Sequence, residues 1–287
     1  MWHNVQAFFQ QLMAEVQTTA TPQGADYIAI DLWQLALALG FVLLAGAFSR
    51  MYHLRLERDL FFGTIRLFTQ LLAVGYVLHI VFAMQSLWLV LGMYTITAWV
   101  AASLAARRVR GRGIPVLLPT FAALFCTCFG VTLVVAIVIL QATPWWKPQY
   151  FIPIGGMVAG NAMNAVAIAL ERFFNELHLR KGETEALLCL GASPAEATAD
   201  MFRVAMRAGM INPINAMMGV GIVSLPGMMT GQILAGVSPI QAVRYQVVVL
   251  LMVTAAAALS SFISLRLVRG RCFTPGGALR AMGKGMP

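Results

Sequence analysis

Apolar runs recur along this chain at lengths that cross a bilayer: roughly 32–48, 63–83, 87–106, 116–140, 151–170, 213–236 and 247–268. Each approaches or exceeds the ~20 residues a helix needs to traverse a hydrocarbon core of ~30 Å. Lipid offers backbone N–H and C=O groups no partners, so spanning segments are helices or closed barrels. None of the seven runs alternates as barrel strands do. The fold class is therefore all-α, a polytopic membrane protein of about seven transmembrane helices. Composition agrees: 60% of the 287 residues are hydrophobic and 11% charged.

Basic residues orient the helices through the positive-inside rule. With the N-terminus outside, the inner segments hold Arg50, Arg55 and Arg58; Arg107, Arg108, Arg110 and Arg112; Arg172, Arg180, Lys181, Arg203 and Arg207; and Arg266, Arg269, Arg271, Arg280 and Lys284. Only Lys147 and Arg244 fall outside, and Arg66 lies at the inner end of the second span. The N-terminus is thus expected outside and the C-terminus inside. Trp33, Trp88, Trp145 and Trp146 sit at predicted outer ends, as an interfacial belt requires. The net charge of +9 is spread over inner loops, where it meets anionic lipid headgroups, so no nucleic-acid role is expected.

Three stretches follow from these bounds. Residues 1–30 form an outer segment, with Trp2, Val5, Phe9, Leu12, Met13 and Val16 near the spacing of an interfacial helix. The stretch lacks a basic n-region and is not read as a cleaved signal. Residues 31–270 form the transmembrane domain, with a cytoplasmic segment at 171–209, and residues 271–287 form a cytoplasmic tail. Cys126, Cys128, Cys189 and Cys272 have neither disulfide nor metal-site spacing.

The sixth span is expected to be broken. "NPIN" at 212–215 can begin it, with Asn212 as N-cap and Pro213 at the first position. "SLPG" at 224–227, containing Ser224 and Pro226, then removes an interior hydrogen bond, and Met228 and Met229 follow the break. "SPIQ" at 238–241 has capping-box spacing and begins a new helix. In the fifth span Met157, Asn161 and Asn164 share one face at i, i+4 and i+7. Amides and thioethers gain nothing from lipid, so both stretches are expected to face protein or a dimer axis, as a transport pathway. Gly156/Gly160 and Gly227/Gly231 are spaced for close helix approach.

All eleven acidic residues lie outside the spans: Glu15, Asp26, Asp31, Glu57, Asp59, Glu171, Glu176, Glu183, Glu185, Glu196 and Asp200. A carrier driven by protons or sodium ordinarily needs ionisable or oxygen-rich sites within the membrane. Arg66 and Gln70 share a helix face, and Arg66 is expected to snorkel towards the inner surface. No phosphate-binding loop or catalytic grouping is present. Seven spans with an outer N-terminus also match a receptor, but the seventh span has no Lys for a retinal Schiff base.

What a receptor leaves unexplained is the polar stretch on the inner side. Gly191 punctuates "EALLCLGASPAEA" at 185–197, and "SPAE" places Ser193 as N-cap, Pro194 at the first position and Glu196 at the third. A helix over about 183–190, a turn and a second helix from Pro194 make a platform suited to docking a soluble partner.

"EALLCLG" resembles the E-A-A-x-x-x-G coupling loop of ABC transporter permeases, with Glu185, Ala186 and Gly191 matching. Leu187 replaces the second Ala, and Met201-Phe202-Arg203-Val204 stand where the motif's I-x-L-P would follow. "LFTQLLAVGYVL" (67–78), "IPIGGMVAGNAMNAVAIAL" (152–170), "LGASPAEA" (190–197, with Ala192) and "VGIVSLPGMMTGQILAGVSPIQAVRYQ" (220–246) resemble the bacterial iron-export permeases, whose family includes the plant aluminium-sensitivity permeases. The resemblance runs from about residue 30 to 268, and Asn164 is not one of the positions that carry it. It implies an inner-membrane permease, itself not an enzyme, that works as a homodimer with a separate cytoplasmic ABC ATPase. That subunit would bind ATP and Mg, and the pair would export iron or another metal ion. An organic cargo such as a nucleotide sugar, a passive channel or a stand-alone carrier are the alternatives. A metal would have to use Met sulfur, Asn or Ser oxygen, or backbone carbonyls.

Overall fold

The computed structural model describes residues 31–53, 56–109, 113–274 and 276–280. The interfacial helix expected within residues 1–30 lies outside the described residues, as do Arg55, Arg110, Arg112 and the end of the tail. The described residues form ten α-helices and one π-helical turn, with no named strand. In chain order these are α1 Leu32–Met51, α2 Glu57–Met84, α3 Leu87–Arg107, α4 Leu117–Val134 continued by the π turn Val135–Ile139, and α5 Pro148–Leu179. Then come α6 Lys181–Cys189, α7 Pro194–Ala197, α8 Ala199–Gly219, α9 Gly227–Leu234 and α10 Pro239–Arg271. By length and composition, α1, α2, α3, α4 with its π turn, α5 and α10 can each cross a membrane.

The predicted sixth span is divided. α8 starts at Ala199 and runs through Pro213, so Asn212 is not a cap and "NPIN" begins nothing. The elbow has already started this helix upstream. An interior Pro costs roughly 3 kcal/mol, and here it sits on a continuous helix whose Ala205 and Gly209 are buried. The break comes at 220–226, where Gly221 takes a positive φ of 84° and donates its N–H to the Ser224 carbonyl at 2.9 Å. Pro226 is extended and caps α9, and α10 begins at Pro239 as "SPIQ" foretold.

The chain divides into two compact units. The first comprises residues up to Val77 with Leu225–Gln246. In it α1 and α2 line an apolar groove of about 800 Å³, faced by Leu39, Leu43, Leu60, Phe61 and Phe68 with Arg50 and Glu57. α9 closes with a Schellman turn: Gly236, at φ 85°, donates to the Ile233 carbonyl and Val237 to that of Gln232.

The second unit, Leu78–Ser224 with Val247–Pro287, is built round α5. Phe151, Val158, Ala162, Ala165, Val166, Ala169 and Leu170 form its buried side against α3, α4 and α8. Small residues make this possible, since van der Waals contact rather than hydrophobicity drives helices together in lipid. Ala98, Ala101, Ala102 and Ala105 bury one side of α3. A Cβ on Gly209 would lie 2.7 Å from the Ala165 carbonyl oxygen, and one on Gly155 would lie 2.8 Å from the Tyr94 ring. The tight approaches therefore fall at these two glycines. Gly156, Gly160, Gly227 and Gly231 face open space, contrary to close packing within the chain. An aromatic cluster of Tyr94, Phe125, Phe129, Phe151 and Trp145 seals one end of α5, and buried Phe173, Phe174 and Leu177 seal the other. Hydroxyl pairs Thr120–Ser264, at 3.2 Å, and Thr127–Ser260 tie α4 to α10.

Candidate coupling elbow and pathway residues

The elbow grows out of the inner end of α5. Arg180, the residue between α5 and α6, grips the Glu183 carboxylate with Nε at 2.7 Å and with Nη2. That guanidinium holds the Glu183 carboxyl below the usual carboxylate range. Lys181 lies 3.5 Å from Glu185, and buried Thr184 donates to the Arg180 carbonyl at 3.0 Å. Each contact is local, so α6 takes its shape from its own sequence.

The turn is a Schellman motif. Gly191 sits at φ 92° and donates to the Leu188 carbonyl, while Ala192 donates to that of Leu187, both at 3.0 Å. Only glycine adopts this backbone freely. Ser193 then caps α7: its Oγ accepts from the Glu196 N–H at 3.3 Å, and the Glu196 carboxylate accepts from the Ser193 hydroxyl at 2.7 Å and its N–H at 2.8 Å. These bonds, the hydroxyl's first, pull the Glu196 carboxyl below its ordinary range. Behind the turn, buried Ala197, Thr198 and Met201 anchor it, with Thr198 donating to the Pro194 carbonyl at 2.7 Å.

The structure thus brings Glu185, Ala186, Gly191, Ala192, Ser193 and Pro194 together on one projecting elbow. Glu185, Ala186, Gly191 and Ser193 are exposed, while Ala192 and Pro194 are half-buried. At the apex stands Leu190, 83% exposed. Sequence reasoning passed over it as one more leucine.

On α5, Met157 is half-buried and Asn161 and Asn164 are exposed. They share a face, as expected, and it is the face turned away from α3, α4 and α8. Asn161 donates to the Met157 carbonyl at 2.9 Å. Within the second unit both amides stay exposed. Ser224 is exposed in the break after α8; Pro226, Met228 and Met229 are half-buried at the start of α9. On α8, Met217 accepts from Thr254 of α10 at 3.1 Å. Among the described residues, no three His, Cys, Asp or Glu side chains group as a metal site.

Arg66 is joined to Gln70 along the exposed face of α2. With the Gln70 amide oriented to satisfy both groups, Gln70 Oε1 accepts from Arg66 Nε at 3.0 Å and Nη2 at 3.2 Å. Gln70 lies one turn further along α2, within the same candidate span. Cys189 is exposed and Cys272 buried; burial pushes the Cys272 thiol up to about 12.

Residues 32–273 match the family described as "Uncharacterised protein family (UPF0014)". The chain is 37% identical to the UPF0014 membrane protein slr1647 of Synechocystis, over 82% of this chain and 90% of that one. It is 35% identical to the probable iron export permease protein FetB of Escherichia coli, over 80% and 87%. It is 32% identical to the protein ALUMINUM SENSITIVE 3 of Arabidopsis thaliana, over 83% and 86%. No solved structure matches.

Proposed function

We propose that this chain, which belongs to the UPF0014 family of membrane proteins, is the permease subunit of an ABC exporter in the inner membrane, driven by a separate cytoplasmic ATPase. Two copies of the permease pair with that subunit, which binds ATP and Mg. The cargo is iron or another metal ion, in keeping with the name of the Escherichia coli relative. One observation carries the reading: the elbow is rigid by local bonds, projects Leu190 into solvent, and is continuous through α8 with the 220–224 break. A passive channel needs no such lever. A push on the elbow would be transmitted along α8 to a backbone already poised to move.

The test is to seek a Walker-type ATPase in the neighbouring reading frames and co-express it with this chain. The two should copurify with a permease pair, and the permease should stimulate ATP hydrolysis. A permease that exports metal alone would overturn the proposal. Within the complex, Asn161→Leu and the double change Met228→Ala/Met229→Ala should abolish metal-stimulated export and leave basal hydrolysis intact. Unchanged export in both would remove these residues from the pathway.

A further inference from the structure

Arg66 carries a positive charge on a helix made for lipid, and among the described residues no ion pair includes it. The ion pairs among the described residues use Arg108, Arg172, Arg180, Lys181 and Arg203, none of them Arg66. Its helix is a candidate membrane span, Glu57–Met84, and Gln70 one turn on fixes the guanidinium. The α1–α2 groove is faced by Leu60, Phe61, Thr64, Ile65, Phe68 and Thr69. At 100° per residue, Arg66 and Gln70 lie on the opposite side of α2, and both are exposed. Asp59, two turns nearer the inner end, is the carboxylate closest in register on that side. An ionisable group held inside a span marks a functional site.

The donor inventory says what the site takes. A guanidinium has five N–H donors and no acceptor. Gln70 Oε1 occupies the Nε–H and one Nη2–H. Two donors on Nη1 and one on Nη2 remain, arranged as the end-on fork that matches a carboxylate or phosphate. The Gln70 amide adds two more. We propose that Arg66 and Gln70 form an oxyanion-binding site within the membrane span, Gln70 holding the guanidinium so that its Nη1/Nη2 edge grips one carboxylate or phosphate group. That oxyanion is either a soluble ligand or a lipid phosphate. If soluble, and granting the transport reading on which this step rests, the cargo travels as an anion or an anionic metal chelate, because the site repels a bare cation.

The full-length protein in phosphatidylcholine nanodiscs is titrated with citrate and with inorganic phosphate, against chloride at equal ionic strength. A parallel set carries one third phosphatidylglycerol, with bound lipid counted by native mass spectrometry. Saturable binding of citrate or phosphate that falls about tenfold or more in Arg66→Leu, and about tenfold in Arg66→Lys, identifies a soluble oxyanion. Retention of phosphatidylglycerol by wild type but not Arg66→Leu, without soluble binding, identifies the lipid phosphate. Gln70→Leu should weaken either several-fold with the charge intact, and it keeps the test open if Arg66→Leu misfolds. Binding by Arg66→Leu equal to wild type would overturn the site, and equal binding by Arg66→Lys would overturn the fork. ATPase stimulation is measured separately, so failure of this site with normal stimulation leaves the transport reading standing.

Discussion

Gly191→Leu isolates the elbow's turn from everything around it. A Cβ at Gly191 would meet no atom within 4 Å, so the substitution adds no clash. What it adds is backbone strain at φ 92°, where an L-residue pays about 1–2 kcal/mol. At 1.4 kcal/mol per tenfold, that strain depletes the native turn about 5- to 30-fold relative to relaxed alternatives. Docking that requires the native turn should weaken by the same factor. Asn tolerates this backbone region better than other L-residues and should recover most of the loss. The assay titrates permease against the ATPase and reads the concentration giving half-maximal stimulation of hydrolysis. Wild-type, Asn and Leu proteins should rise in that order while their thermal midpoints stay close, because the turn is exposed. A Leu variant that stimulates at the wild-type concentration would refute the reasoning and reduce the elbow to a connector.

A cysteine at Lys147 should react with a membrane-impermeant thiol reagent in intact cells, and Cys189 only after permeabilisation. Cys272, buried with its thiol pushed up, should stay unlabelled in the folded protein on either side, and outside labelling of Cys189 would invert the orientation. The Glu196 and Glu183 carboxyls lie below their ordinary range, so the stability they add is present above the unfolded Glu value of about 4.3 and is lost as pH falls through their folded values. Protection of the Ser193 amide against exchange, relative to its intrinsic rate, should therefore fall below that pH, because the Glu196 carboxylate accepts its N–H, and Glu196→Gln, which keeps a cap acceptor, should flatten this dependence. Gly209→Ala drives a methyl against the Ala165 carbonyl and should cost about 1–3 kcal/mol in detergent-monitored unfolding, whereas Gly160→Ala, with open space, should be neutral or stabilising.

Spans and elbow were legible because each is written in a local code. A run of apolar residues answers to the thickness of the bilayer, and "GASPAE" answers to turn and cap chemistry within a few bonds. The break after α8 was placed a few residues late because Pro226 is the conspicuous signal, while Gly221, whose backbone ends the helix, looks like any glycine in a chain with 25 of them. Pro213 misled in the opposite direction. Its propensity to start a helix counted for less than the packing of Ala205 and Gly209 on α5.

What hydropathy could not reveal is which side of each helix meets protein. In water, burial follows apolarity, and an apolar stripe betrays the core. In lipid both faces are apolar, so the contrast vanishes and the packing signal becomes size. The α3 seam of Ala98, Ala101, Ala102 and Ala105 and the α5 seam of Ala162, Ala165 and Ala169 are buried because they are small. The Gly-xxx-Gly spacing, read as the closest approach, marks faces that this chain leaves open, while the tight contacts use Gly155 and Gly209. Where small and amide-bearing residues coincide and stay uncovered, at Gly156, Gly160, Asn161 and Asn164, the packing of the second unit offers no reason for the sequence. Under the proposed function that reason is a second copy or the cargo, and loss of export in Asn161→Leu, with the complex still assembled, would separate one from the other.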